Sequence, residues 1–433
     1  MRILIHGINF TPELVGVGKY TGEMATWLAD RGHDVRAVTA PPFNPEWKVF
    51  SGYSGSRYQR EVHRGAAMDQ SPVLSEKGQL GGLVVFRCPM WVSKEHSGIY
   101  RLLHLGSFAI SSIPVMLSQI AWKPDVVIAI EPTLFCAPAA WATGRLCRAR
   151  TWLHIQDFEI DAGFELGMLG SQSSRRMVSW FERGCIAGFD YVSTISAKML
   201  TMLAQKGVSS ARCVLFPNWV DTGVIFPLTG PSEFRKELGI PDNDIVALYS
   251  GNMATKQGLE ILTETAWQLQ SRKGLWFVFC GEGPGKEGLV ERASKLANVL
   301  CLPLQPLERL NSLLNLADIH LLPQKTGAAD LVMPSKLTGI LASGRPVVAT
   351  VFEGTQLARV VRGKGLVTTP EDPSALASAI VKLSDDPALR KTFGMNARAY
   401  AVFELDKNKV LSRFEKQLQA GRLARSTAIE EVT

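Results

Sequence analysis

Short apolar runs alternate with amphipathic stretches along most of this chain. Residues 2–9 form an apolar run of strand length, followed by a loop rich in Pro and Gly over 10–18. Val17, Tyr20, Met24, Trp27 and Leu28 then recur at spacings of three and four, which predicts a helix with Gly32 as its stop. Residues 34–39 read as the next strand. A strand, a helix and a strand at this spacing make a parallel crossover unit. Further apolar strands are expected at 124–130, 151–155 and 191–195. The pattern restarts with strands at 244–250, 275–280, 318–322 and 346–349, separated by helices at 258–271, 289–296 and 335–342. The prediction is α/β, with two doubly wound halves. Their join falls near 216–221, where the alternation breaks ahead of a segment carrying Gly223, Pro227, Gly230 and Pro231.

Two stretches depart from the repeating unit. Residues 41–80 are polar and glycine-containing and read as one long loop, either an acceptor-binding loop or an insertion without structure. Residues 101–122 form an apolar helix interrupted by His104, Gly106 and Pro114. That is too broken for a membrane span. The alternatives are a helix buried in the core and a helix lying in a membrane interface between Arg101 and Lys123.

Composition narrows the function. Apolar residues make up 46% of the 433 and charged residues 20%, which is globular and neither disordered nor collagen-like. The net charge of +7 is too evenly mixed for a nucleic-acid binder, but suits phosphorylated ligands or an anionic membrane surface. The 7 cysteines are scattered without a C-x-x-C, so reduced thiols are expected and a zinc site or disulfide framework is not. The first residues open a strand directly, so a cytoplasmic location is expected.

The chemistry concentrates at strand ends. Gly16 and Gly18 precede or open a helix, where backbone N–H groups attract anions. They fail as a dinucleotide fingerprint, because the spacing is wrong and Thr39 and Ala40 stand where an acidic residue is needed. Two further glycine-rich strand ends carry Gly251, Asn252 and Lys256, and Gly281, Glu282 and Gly283. Doubly wound sheets bind ligands at these carboxyl ends, so three such loops outweigh any one of them. Pro334-Ser335-Lys336 opens a helix, with Ser335 as its expected N-cap. A lysine beside a diphosphate contributes on the order of 4 kcal/mol at an effective dielectric of 20, before desolvation. Asp157, Glu159 and Asp161 alternate as a metal site would, but fail as a calcium loop, with Met168 at its twelfth position. His154, at a strand end, reads either as a packed histidine or as a group lining the reaction site.

Several segments in order resemble family-4 glycosyltransferases with the GT-B fold: 12–18, 31–35, 192–196, 216–221, 281–284, 316–318 and 341–349. The similarity runs over nearly the whole chain. Within the family, 154–157, 334–337 and 341–345 look most like the enterobacterial colanic acid branch. The resemblance implies two Rossmann-like domains facing a central cleft: an acceptor-side domain at 1–216, a nucleotide-sugar donor domain at 217–400, and a C-terminal helix at 401–433 packing back on the first.

It implies a retaining transferase that needs no metal and no cofactor, the nucleotide-sugar being a substrate. Gly16 would lie against the donor diphosphate. Residues 251–256 would supply it with cations, 281–283 would lie near the nucleoside, and the backbone of 304–306, with Pro306, would read the base. GDP-fucose is the expected donor. The partners are a lipid-linked saccharide acceptor and the inner-membrane surface. Asn252 stands where the family usually has arginine, and Leu331 and Gly339 stand where it has paired glutamates. Lys256 and Lys336 are therefore the best phosphate cations, with His154 and Asp157 completing the candidate catalytic set. A nucleotide-sugar epimerase and a non-catalytic scaffold protein are the alternatives.

Overall fold

In the computed structural model the described residues are 1–14, 16–64, 81–93, 98–131, 134–158, 172–253, 257–326 and 333–430. The chain divides into two compact units, Met1–Pro217 with Leu411–Thr433, and Asn218–Val410.

The first unit is built on eight strands: β1 (Arg2–His6), β2 (Asp34–Thr39), β3 (Gln59–Arg64), β4 (Gly82–Arg87), β5 (Val126–Glu131), β6 (Arg150–Ile155), β7 (Tyr191–Thr194) and β8 (Cys213–Leu215). Their order is β3-β4-β2-β1-β5-β6-β7-β8. All pairings are parallel except β3 with β4. Every residue of β5 and of β6 is buried, which is why β5 reads as a nearly unbroken apolar run, while β6 buries Arg150, Thr151 and His154 among its apolar residues. The antiparallel edge corrects the expectation of one long loop at 41–80: Gln59–Arg64 pairs with Gly82–Arg87, while 65–80 lies outside the described residues. The strand hid because Gln59, Arg60, Glu61, His63 and Arg64 are polar, as an edge strand tolerates.

The Gly98–Ser118 helix is not a core helix. Its inward side carries His104, Phe108, Ser112 and Met116, all buried. Leu103 and Ile110, by contrast, are 55% and 71% exposed, and Leu102, Ile113 and Leu117 are exposed beside them. Tyr100–Ser118 is long and apolar enough to cross a membrane by length and composition, with 22% of it buried.

The chain returns to this first sheet through the Lys407–Glu430 helix. Phe414 stacks on Phe216 at 4.0 Å and meets Trp152 edge-on at 5.1 Å. Arg150 Nη1 donates to the Leu418 carbonyl (2.9 Å), and His33 Nε2 lies 2.8 Å from Glu415 Oε1. The return begins later than the expected 401. Residues 401–410 stay with the second unit, where Ala401 and Leu405 lie in the core.

The second unit holds β9 (Ile245–Ser250), β10 (Leu275–Cys280), β11 (Val299–Leu302), β12 (Ile319–Pro323), β13 (Val347–Thr350) and β14 (Gly365–Thr368), ordered β11-β10-β9-β12-β13-β14 and all parallel. Strand order reverses between β9 and β12, so the loops leaving these strands border the crevice where open α/β sheets take ligands.

Candidate active site

In the second unit, the loops after β9 and β10 cross in contact. Gly251 N–H donates to the Cys280 carbonyl (3.0 Å), Met253 N–H to the Glu282 carbonyl (2.8 Å), and Gly285 N–H to the Met253 carbonyl (2.7 Å). This crossing requires glycine. A Cβ on Gly281 would sit 1.9 Å from the Gly251 carbonyl oxygen, and one on Gly283 would sit 2.7 Å from Asn252 Oδ1, both at positive φ. The sequence pattern therefore marks two backbones that touch.

Lys336 lies beneath this crossing. Its Nζ is 4.0 Å from the Tyr249 ring centroid, and a Cβ on Gly251 would meet its Cδ at 3.4 Å. The ammonium is buried and has no hydrogen-bond partner among the described residues, and this burial pulls its pKa down to about 7. Tyr249, which no sequence motif singles out, supplies the aromatic face and also donates its hydroxyl to the Asn252 carbonyl (2.6 Å). Among the described residues this cation has an aromatic face and no hydrogen-bond acceptor, the surroundings that favour an incoming anion.

The neighbouring assignments divide. Ser335 stands at the helix start but does not cap it: its backbone is helical and its hydroxyl makes no cap bond. Glu282 is exposed and paired with Lys286, and this bond lowers its pKa. Pro306 is exposed at the start of the short Leu307–Arg309 turn, and its carbonyl accepts from Arg309 N–H (3.1 Å). Asn252 is exposed. Lys256, Asp330 and Leu331 lie outside the described residues; Gly339 packs against Leu314. Lys325, another cation that no motif marks, follows β12 and lies against Gly258.

In the first unit, Gly18 serves the protein's own side chain. A Cβ there would lie 2.3 Å from Glu13 Oε2. Glu13 is buried. Its Oε1 accepts from the N–H groups of Phe43 and Asn44 (3.1 Å each), and its Oε2 from Asn9 Nδ2 (3.0 Å). Gly16 adopts φ +61°, and the nearest atom a Cβ there would meet is Asn44 Nδ2, at 4.0 Å.

His154 is packed in the core, in keeping with the first of its two sequence readings. It is 3% exposed, its Nδ1 lies 2.9 Å from Ser193 Oγ, and its ring rests 4.9 Å from that of Phe216. Burial lowers its pKa to about 3, so it carries no extra proton at neutral pH. Asp157 is half-buried just beyond β6, while Glu159 and Asp161 lie outside the described residues. Among the described residues no three His, Cys, Asp or Glu side chains cluster as metal ligands.

Two parallel sheets of this kind, each with its strand ends shaped by glycine, are the architecture of a GT-B glycosyltransferase. Residues 15–219 match the family described as a glycosyl transferase 4-like domain, and 231–400 match the glycosyl transferases group 1. The chain belongs to these glycosyltransferases. It is 42% identical over 424 residues to the putative colanic acid biosynthesis glycosyl transferase WcaI of Escherichia coli K12, covering 96% of this chain and 98% of that protein. Sucrose-phosphate synthase from Thermosynechococcus elongatus superposes with a TM-score of 0.71 at 16% identity, covering 99% of this chain and 100% of that one. WaaG, a glycosyltransferase involved in lipopolysaccharide biosynthesis, superposes with a TM-score of 0.64 at 16% identity, covering 96% and 99%.

Proposed function

We propose that the protein moves a sugar from a nucleotide-diphosphate donor, GDP-fucose first among them, to a lipid-linked oligosaccharide in the assembly of a colanic acid-like exopolysaccharide. Retention of anomeric configuration and independence of a metal are part of the same reading, carried by the family resemblance. The likeness to WcaI over nearly the full length of both chains supports the pathway.

The observation that carries the chemistry is the buried, unpartnered Lys336 ammonium under the crossed glycine loops. As the bond between the sugar carbon and the diphosphate oxygen breaks, negative charge grows on the leaving diphosphate. A desolvated ammonium stabilises that charge more than it stabilises the intact donor. Gly339 occupies one of the family's usual glutamate positions and carries no carboxylate, so no covalent intermediate is assigned.

The apolar outer side of the Gly98–Ser118 helix, next to Arg101, supports a membrane-surface location for the same reaction.

Thermal melts with GDP, UDP and ADP, each with and without magnesium, test the donor. A ligand at a hundred times its dissociation constant adds about 2.7 kcal/mol. Stabilisation by GDP alone, equal without magnesium and lost in Lys336→Met, is the expected result. Stabilisation by UDP alone would remove GDP-fucose, and none by any nucleotide would remove the transferase mechanism built on Lys336.

A further inference from the structure

The first unit contains a cavity of about 620 Å³ among the segments that follow β2 and β4. It sits between the 47–56 segment, the 89–92 segment that follows β4, and the flank of the Gly98–Ser118 helix at Ser107 and Ser111. Its floor and walls come from Trp47, Val49, Met90, Trp91 and Val92. Trp47 holds the left-handed backbone region at φ +51°, which a bulky residue rarely adopts. Its ring is kept there by Phe43 (5.6 Å between centroids) and the buried His104 (5.3 Å).

The helix's inward polar residues fix this cavity rather than lining it with free groups. Ser107 Oγ donates to the His104 carbonyl (2.7 Å) and accepts from Trp91 N–H (3.0 Å). Ser111 Oγ donates to the Pro89 carbonyl at 2.5 Å, and His104 Nδ1 lies 2.8 Å from the Trp91 carbonyl. The donor hydrogens of Ser107 and Ser111 are therefore already engaged, which leaves Ser56, exposed, as the other hydroxyl of the lining. Of the lining side chains only Lys48 is charged, and it is exposed at the rim. A pyranose seated here would find the Ser107 and Ser111 hydrogens taken, whereas a hydrocarbon chain needs no partners and matches the apolar walls. One turn along the helix from Ser107, Leu103 and Ile110 continue the apolar surface outward.

We propose that this cavity binds the hydrocarbon chain of the lipid-linked acceptor, an isoprenyl or acyl chain, with Lys48 meeting the phosphate at its head. The inference rests on the lipid-linked acceptor proposed above and assigns that lipid a place.

Calorimetric titration with farnesyl phosphate, kept below its aggregation concentration, tests it on the full-length protein. Trp91→Ser should weaken binding at least tenfold. The fold tolerates this change, because Trp91 is 45% exposed and its backbone bonds to the helix remain when its ring contact with Tyr100 is lost. Val49→Gln should weaken binding by a similar factor. Lys48→Glu should weaken farnesyl phosphate three- to tenfold at low salt, but leave farnesol unchanged. Nucleotide stabilisation should be the same in all three variants, which shows them folded. Binding that all three variants leave unchanged would overturn the proposal, as would displacement of farnesyl phosphate by a free saccharide.

Transfer rates to a saccharide with and without its prenyl diphosphate separate the two readings. A wild-type enzyme indifferent to the chain would overturn the lipid-linked acceptor and this site together. A wild-type preference that Trp91→Ser and Val49→Gln both retain would overturn the site alone.

Discussion

Each unit ends its early strands in a glycine-bearing loop, and in each a charged side chain is buried behind the glycines. In the first unit the charge is Glu13, which takes N–H groups from Asn9, Phe43 and Asn44. In the second it is Lys336, with the Tyr249 ring and no hydrogen bond. Burial disfavours the charged form of both, pushing Glu13 up and Lys336 down to about 7. The difference lies in what opposes that penalty. Glu13 is answered from within the fold, so its loop is a finished structural joint. Among the described residues Lys336 is answered by no hydrogen bond, which is the observation behind the phosphate-binding role proposed for it.

Replacing Lys336 breaks the comparison most sharply. Lys336→Met should lower kcat/KM for sugar transfer by about 10²- to 10³-fold, the loss typical of a single group opposed to charge in a transition state. The same variant should melt no lower than the wild type, because it removes an unpaired buried charge. A loss of stability as large as the loss of activity would make Lys336 a structural residue.

The glycines come next. Gly281→Ala drives a Cβ into backbone at 1.9 Å, so a loss of several kcal/mol is expected, with no second-site rescue. Gly18→Ala meets a side chain instead, at 2.3 Å from Glu13 Oε2. Adding Glu13→Gly, which also removes the Glu13 Cβ that would lie 2.7 Å away, should restore part of its stability. Denaturant midpoints of these variants and the wild type measure both statements, and equal rescue in the two units would erase the contrast.

The pH dependence of stability follows from Lys336. Its folded pKa of about 7 lies below the ordinary value of 10.5. Between these values the unfolded chain binds more protons, so stability contributed by this residue rises with pH, by at most about 1.4 kcal/mol per unit. Below pH 7 the full penalty remains. The stability advantage of Lys336→Met should therefore be greatest near pH 7 and shrink toward pH 10. Nucleotide binding at pH 8 should take up close to one proton, since an anion beside the amine favours its charged form. Calorimetry in buffers of different ionisation enthalpy reads that uptake, and a binding enthalpy independent of buffer would contradict it.

The parallel strands were legible because both faces of β5, β9 and β10 are covered, leaving apolar runs between turn signals. β3 was not, because an edge strand with polar residues on its open side looks like loop. The place of Lys336 at a helix start was legible, but its burial over Tyr249 was not, since β9 and the Lys336–Ala342 helix meet only in the fold. His154 kept two readings for a related reason. A histidine at a strand's end looks the same in sequence whether it faces a ligand or, as here, Ser193 and Phe216. Gly18 misled because a glycine that admits a neighbouring carboxylate and one that admits a phosphate leave the same letter.

The mildest test is Glu13→Gln. The amide keeps one acceptor oxygen and replaces the other with a donor, which then faces an N–H group. One or two of the three hydrogen bonds are lost, at a cost of about 1–3 kcal/mol. The melting temperature should drop by several degrees while the rise produced by nucleotide stays as large as in the wild type. That pairing is what separates the two loops: damage to the first is felt as stability alone, because its charge is already answered by the N–H groups of 9, 43 and 44. If nucleotide stabilisation fell in Glu13→Gln as it is expected to fall in Lys336→Met, the first loop would also be part of the binding machinery, and the distinction between a closed joint and an open site would fail.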